Sequence, residues 1–374
     1  MKDQRRTILV ISPSLGIGGR ERIAINTVKC FENLGYHVIL VIFQNRDVEY
    51  PFDGELINLN IPASKRINGK IIAQIKRSFK LLRLRKKFNA QYVYSLGDAS
   101  NITNVFSGLT HYGKSIVSLH VSSEVNDSII SKFIFYNAYR VICIAQDMQH
   151  CLLALYPRLK NTRVIENGYV LPNLSHKSKQ SSSCSLRLVT MGRLEHQKGL
   201  DRLIGAMAII IQTIPEAVLT IIGKGELKGK LIEQCEELDL QNTVRFQGYL
   251  SDPFPVLQSH SIYVLTSHTE GFPNALIEAL NCGLPIVATD CSTGPREILS
   301  EHYTPEPVRG IQHEKYGVLV ENSLDAFEDR FAEAIIQLWN NKEEMAHYRE
   351  MAPERAKEFS MERYQEKLRK LIDE

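Results

Sequence analysis

The feature that most constrains this chain is a unit that occurs twice. In each half an apolar, β-rich run leads into a glycine loop, then a helical pattern, then a second apolar run. In the first half Thr7–Ile11 leads into Gly16-Ile-Gly-Gly19, a helical pattern runs from Glu21 to Leu34 with Gly35 as its stop, and His37–Phe43 reads as the next strand. In the second half Leu186–Met191 leads into Gly192–Gly199, a helix is expected over Asp201–Thr213, and Val218–Ile222 reads as a strand. Strands joined through helices lie parallel, because a parallel pair needs a crossover too long for a tight turn. Tyr92–Ser95, Ser115–Leu119, Arg140–Ile144, Thr243–Phe246, Ile262–Leu265, Pro285–Thr289 and Gly317–Val320 continue the alternation, and the last stretch from Ala326 is helical in composition. Between the halves a polar, serine-rich run from Leu171 to Ser183 has no periodicity and reads as a linker. The expectation is an α/β chain of two doubly wound, Rossmann-like domains. They are bounded as 1–172, a linker over 173–185, a second domain over 186–358 and a terminal helix over 359–374 with the option of crossing back to the first domain.

Composition narrows the class. At 374 residues, 44% hydrophobic and 23% charged, the chain is long enough for two cores and holds no apolar run near the ~20 residues that cross a bilayer. The short apolar run Ile8–Ile11 suits a first strand, not a secretory signal. Seven cysteines, odd in number and scattered with no C-x-x-C pair, fit a reducing, cytoplasmic compartment and no structural zinc. Charge is unevenly shared: residues 1–172 hold 23 Lys and Arg against 12 Asp and Glu (net +11), and residues 173–374 hold 22 against 30 (net −8).

The segment Glu270-Gly-Phe-Pro-Asn-Ala-Leu-Ile-Glu278 follows a strand and opens a helix. With Pro273 at the first helical position, the amides of Asn274, Ala275 and Leu276 form an N-terminus that attracts phosphate and sugar oxygens. Glu270 and Glu278 offer two carboxylates to a polyhydroxylated ligand. Standing alone they read as a loop acid and a solvated helix acid. Arg193 and Lys198 add two cations at the carboxyl end of the preceding strand, where α/β sheets bind ligands, and suit a diphosphate. Gly16–Gly19 fits a dinucleotide fingerprint only loosely, since G-x-G-G lacks the third glycine and the later acid. No Asp-x-Asp pair exists to hold a divalent ion on a diphosphate.

From Leu56 to Gly97 there is no Asp or Glu, and ten basic residues fall between Lys65 and Lys87. Over Ile71–Phe88, Ile72, Ile75, Phe79 and Leu82 form one helical stripe and Lys76, Lys80, Arg83 and Lys87 the neighbouring one. Such a basic amphipathic helix suits an anionic membrane surface or a lipid-linked diphosphate, or it packs on its own domain with a solvated face. Aromatic residues do not interleave with the cations, so nucleic acid is not expected.

Five segments together resemble the retaining glycosyltransferases of family 4: Gly192-Arg-Leu-Glu-His-Gln-Lys-Gly-Leu-Asp-Arg-Leu203, the E-x₇-E run, Ala279–Ala288, Gly294-Pro-Arg-Glu297 and Tyr316–Glu321. Gly18-Gly19-Arg20-Glu21-Arg22 is similar to that family's G-G-x-E-R, and His120 follows a strand as in its members. The resemblance implies a GT-B fold, two Rossmann-like domains facing a cleft. It implies a retaining, metal-independent hexosyltransferase that uses a nucleotide sugar, a UDP-sugar above others, and needs no cofactor. By resemblance Arg193 and Lys198 bind the donor diphosphate, Gly18 and Gly19 let backbone approach it, and Glu270 with Phe272–Ala275 holds the sugar. Glu278 takes the ribose, Gly248 and Tyr249 lie beside the base, Leu276 completes the helix mouth, and His120 stands near the reacting face. No nucleophile is assigned, since a front-face reaction is usually proposed for the family. The acceptor would be a saccharide, lipid-linked in surface polysaccharide or glycan assembly, and the enzyme peripheral at the cytoplasmic membrane face. A nucleotide-sugar epimerase of the same fold and a non-catalytic partner subunit are the alternatives. Cys291-Ser-Thr-Gly-Pro295 departs from the second glycine pair found in many relatives.

Overall fold

The computed structural model describes residues 6–16, 19–45, 51–64, 66–110, 112–174, 185–323 and 325–374. Gly18 and most of the expected linker lie outside them. The chain divides into two compact units, one of Met1–Tyr169 with Ser360–Glu374 and one of Val170–Phe359.

The first unit runs β1 (Thr7–Ser12), α1 (Gly19–Asn33), β2 (His37–Ile42), β3 (Glu55–Asn58), α2 (Ile67–Lys87), β4 (Ala90–Leu96), α3 (Asp98–Gly108), β5 (Lys114–Leu119), α4 (Ile129–Asn137), β6 (Arg140–Cys143), α5 (Gln146–Leu155) and β7 (Thr162–Val164). The second runs β8 (Arg187–Met191), α6 (Leu200–Thr213), β9 (Val218–Ile222), α7 (Lys228–Glu237), β10 (Val244–Gly248), α8 (Phe254–Gln258), β11 (Ile262–Leu265), α9 (Asn274–Asn281), β12 (Ile286–Asp290), α10 (Pro295–Leu299), β13 (Ile311–Glu314), β14 (Gly317–Glu321), α11 (Phe327–Asn340) and α12 (Lys342–Lys357). The last helix, α13 (Met361–Asp373), belongs to the first unit.

Each unit carries a seven-stranded sheet, ordered β3-β2-β1-β4-β5-β6-β7 in the first and β10-β9-β8-β11-β12-β14-β13 in the second. All pairings are parallel except β13 with β14, an antiparallel hairpin at the sheet edge. Parallel sheets are covered on both faces, which is why β1 is buried along its whole length. Ile8 and Val10 turn to one core with α1 and α13, while Leu9 and Ile11 turn to another that includes Leu81 of α2. Tyr364, Leu368, Leu371 and Ile372 of α13 complete the first of these cores, and the Tyr364 hydroxyl lies 2.7 Å from Oγ1 of Thr27. In the second unit one cluster gathers α6, α11 and the strands between them.

α1 begins at Gly19, two residues before the expected Glu21. Glycine's freedom suggested loop, yet at a helix start it carries little penalty. β3, β7 and β13 were not expected. They are edge strands of three or four residues, short enough that pairing with a neighbour rather than their own pattern defines them.

Candidate active site

Strand order reverses between β8 and β11, and at such a switch point the loops leaving the two strands separate and open a crevice at their carboxyl ends. The loops here are 192–199 and 266–273. Backbone approach is tight: a Cβ on Gly223 would come 1.8 Å from the Gly192 carbonyl, and one on Gly225 would come 2.3 Å from the Leu194 carbonyl. The sequence reading passed over Gly223-Lys-Gly225. Its signal was a G-x-G directly after a strand.

Gly199, at φ 57°, ends a short 3-10 turn and starts α6, with the Thr266 carbonyl 2.3 Å from where its Cβ would be. Only glycine fits that turn, and the turn carries Lys198 onto Glu270. Nζ stands 2.5 Å from Oε1, the two side chains are 19% and 7% exposed, and Ser267 Oγ donates to the same oxygen at 2.5 Å. A pair this far from water is held by mutual neutralisation, so loss of one partner strands the other. Arg193, 69% exposed, pairs instead with Glu195 at 2.8 Å. Arg202, named in the sequence only as part of a motif, braces the same loop: it donates to the carbonyls of Thr266 at 2.8 Å and Ser267 at 2.9 Å and stacks 3.9 Å over Phe327. Burial pushes its guanidinium down to about 10.

Pro273 proves to be the cap of α9 and not its first helical residue, since its ψ of 103° is extended. The Leu276 N–H donates to the Pro273 carbonyl at 3.1 Å, so one of the three amides expected to stand open is closed. Phe272 and Leu276 bury their side chains, Phe272 against Phe359 with ring centroids 5.4 Å apart. Asn274 and Ala275 are half-buried in the first turn, and Glu278 is half-buried further along α9. Tyr263 relates the two acids: it is fully buried, its hydroxyl lies 3.3 Å from the Met191 carbonyl, and burial, then the fields of Glu270 and Glu278, raise its pKa. At the end of β10, Gly248 has φ 75° with nothing within 4 Å of its Cβ position, and Tyr249 is exposed.

In the first unit the reversal lies between β1 and β4. Gly19 opens α1 beside it, whereas Gly18 lies outside the described residues. Arg20 crosses Gly97, where a Cβ would come 2.6 Å from Nη1, and reaches Glu124 at 3.4 Å. Glu124 is buried and accepts from the His120 backbone N–H at 2.6 Å, while His120 Nε2 lies 2.9 Å from Ser118 Oγ. Burial pushes the Glu124 carboxyl up to about 7 despite the opposing pull of Arg20. Burial, with Arg20 adding to it, pushes the His120 imidazole down to about 3. Sequence reasoning found His120 but not Glu124, whose role depends on a hydrogen bond four residues back.

The basic helix exists as α2, and the face it buries is not the apolar stripe. Ala73, Arg77, Leu81 and Arg85 are buried, whereas Ile72, Ile75 and Phe79 are exposed and Leu82 is half-buried. Lys76, Arg83 and Lys87 are exposed, and Lys80 donates to the Leu59 carbonyl at 2.6 Å. Among the described residues no group of three His, Cys, Asp or Glu side chains stands close enough to hold a metal, and no helix is long and apolar enough to cross a membrane.

Residues 174–355 match the family model described as glycosyl transferases group 1. These residues, nearly all of the second unit, are a group 1 glycosyl transferase domain. It is 29% identical over 338 residues to an uncharacterized glycosyltransferase of Methanocaldococcus jannaschii, covering 80% of this chain and 83% of that one. Among solved structures it is similar to a lipopolysaccharide outer core galactosyltransferase, with a TM-score of 0.78, 19% identity and coverage of 98% and 99%. A structure of HepE from Anabaena in complex with UDP gives 0.77, 18%, 98% and 99%. The fold is GT-B. The group 1 match holds Arg193, Lys198, Glu270 and Glu278, whereas Gly19, His120 and α2 precede it.

Proposed function

We propose that this chain is a retaining glycosyltransferase. It moves a hexose or N-acetylhexosamine from a UDP-sugar to a saccharide acceptor carried on polyprenyl diphosphate, in the assembly of a surface polysaccharide or related glycan. The observation that carries the reading is the Lys198–Glu270 pair, 2.5 Å apart at the β8/β11 switch point. A cation there suits a diphosphate and a carboxylate suits sugar hydroxyls, and the pair sets the two side by side. The UDP complex of HepE supports the nucleotide, and the galactosyltransferase named for lipopolysaccharide supports a lipid-borne acceptor.

In this reading Arg193 and Lys198 stabilise the negative charge that grows on the leaving diphosphate, the part a metal plays in other sugar transferases. Glu270 and the backbone of Phe272–Ala275 orient the sugar, Glu278 takes the ribose, and Gly248 with Tyr249 lies beside the base. The bond from C1 to the phosphate oxygen breaks and a bond from C1 to the acceptor oxygen forms on the same face. The acceptor proton passes to the departing phosphate, so no side chain serves as nucleophile. In the first unit His120, neutral at physiological pH, offers a hydrogen bond and not a charge, and Gly18 and Gly19 keep backbone close to the ligand. The exposed face of α2, apolar and cationic together, holds the enzyme at an anionic membrane from the cytoplasmic side.

Incubation with a panel of nucleotide sugars and lipid-linked acceptors tests this. Transfer is expected with a UDP-sugar, with the anomeric configuration kept in the product's NMR spectrum and the rate unchanged by EDTA. A folded protein that neither binds nor turns over any donor sinks the reading, inversion sinks the mechanism, and a sugar isomerised without acceptor identifies an epimerase.

A further inference from the structure

The loop that follows β12 carries a conformation its sequence disfavours. Thr293 is buried and has φ 64°, a left-handed backbone that β-branched residues seldom adopt and glycine adopts freely. Its hydroxyl donates to the carbonyl of Glu270. Two neighbouring contacts fasten the same pair of loops: the Glu270 N–H donates to the Ser292 carbonyl at 3.3 Å, and Thr269 bridges Ser292 in parallel register. Gly294, at φ 95°, then passes so close to Pro273 that a Cβ would come 2.4 Å from its Cδ. A glycine at 293 would satisfy the backbone without strain but would leave the Glu270 carbonyl without that donor.

We infer that Thr293 is a positioning residue, whose hydroxyl fixes the Glu270–Pro273 loop so that the Glu270 carboxylate meets the transferred sugar. The inference rests on the donor reading above. The side chain touches no reacting atom. It acts on the main chain of Glu270, while Lys198 and Ser267 fix the carboxylate itself. Thr293 therefore affects how the sugar is held and leaves the nucleotide end, around Gly248, Tyr249 and Glu278, as it was. A buried threonine in a left-handed backbone, with its hydroxyl on the Glu270 carbonyl, is strain offset by a contact at the site.

The experiment measures, by calorimetry on the full chain, the affinity for UDP and for UDP-glucose, UDP-galactose, UDP-N-acetylglucosamine and UDP-N-acetylgalactosamine, with Tm alongside. Thr293→Val keeps the shape and loses the hydroxyl, Thr293→Gly also relieves the strain, and Thr293→Ser restores the donor. In Val and Gly variants UDP affinity is expected to stay within twofold, while preference for the best-bound UDP-sugar over UDP falls at least fivefold. Ser brings that preference back. Thr293→Gly should also raise Tm while lowering sugar preference, opposite signs that a merely structural role would not produce. A preference within twofold of wild type in both Val and Gly variants overturns the assignment, as does a loss of UDP affinity equal to the loss for UDP-sugars. Wild-type protein that binds no UDP overturns the donor reading beneath it.

Discussion

Glu124 and His120 titrate in opposite senses although one hydrogen bond joins their residues. The Glu124 carboxyl stands above its ordinary value of 4.5, at about 7, so its contribution to stability is present below 4.5 and is lost as pH rises through 7. The His120 imidazole stands below its ordinary 6.5, at about 3, so its contribution is present above 6.5 and is lost as pH falls toward 3. Glu124→Gln removes the first effect alone. Its Tm should therefore gain on the wild type as pH goes from 5 to 8, by the equivalent of 2–3 kcal/mol at most, on the order of the shift itself; a difference that does not vary with pH refutes the account. At the β8/β11 switch point Lys198→Ala takes the cation from a buried carboxylate, and both transfer and stability should fall, stability by about 3 kcal/mol in chemical denaturation. Arg193→Ala, at an exposed position, should lower transfer with Tm nearly unchanged. Lys198 and Glu270 stood out in the sequence because each lies in a compact run, Gly192–Gly199 and Glu270–Glu278, whereas their pairing across the fold did not. Glu124, Tyr263 and Thr293 did not stand out either, since each is defined by contacts that only the folded chain makes.

The helix α2 shows what an element's pattern discloses and what it withholds. Its helical period was legible, and the structured helix covers nearly all of the expected stretch. The buried face was not, because two of its members are arginines. Arg85 is fully buried and, among the described residues, has no carboxylate partner: it donates to the carbonyls of Tyr112 at 2.8 Å and Asn104 at 2.8 Å and to the hydroxyls of Ser107 at 3.0 Å and Ser115 at 2.9 Å. Arg77 donates to the Ile61 carbonyl at 2.8 Å and lies 4.2 Å over Phe43. Only the folded chain brings those acceptors together, so the sequence pattern does not disclose that arginines line the buried face. Arg85→Ala should cost about 3 kcal/mol or more, because the acceptors gathered around the guanidinium lose their donor in a site closed to water. Substituting Lys76, Arg83 and Lys87 with Gln should change stability by less than ~0.5 kcal/mol. The same triple change should weaken binding to anionic vesicles roughly a hundredfold, at about 1 kcal/mol per cation near the surface. Unchanged flotation with liposomes returns the exposed isoleucines to another purpose.

At the scale of the whole molecule the two sheets share the order of their first five strands and a switch point, and that recurrence is what the repeated strand–loop–helix unit made visible. The seven-strand count was not visible, because β3, β7 and β13 are short edges. The last helix gives the first unit part of its interior: Leu368 and Leu371 are buried beside β1 and β2, and Tyr92 donates to the Ile372 carbonyl at 3.2 Å. Leu368→Ala should cost about 2–5 kcal/mol and act on the first unit's unfolding transition, leaving UDP binding by the second unit in place; equal loss from both transitions would contradict the division of labour. The chain thus begins a domain, builds a whole second one over Val170–Phe359, and only then supplies the piece that closes the first. On the ribosome the opening half must wait, roughly 10–40 s at typical rates of synthesis, with an unfilled groove beside β1 and β2. Truncation after Phe359 would leave the Val170–Phe359 unit whole and deny the first unit part of its interior, so the domain begun first is the one completed last.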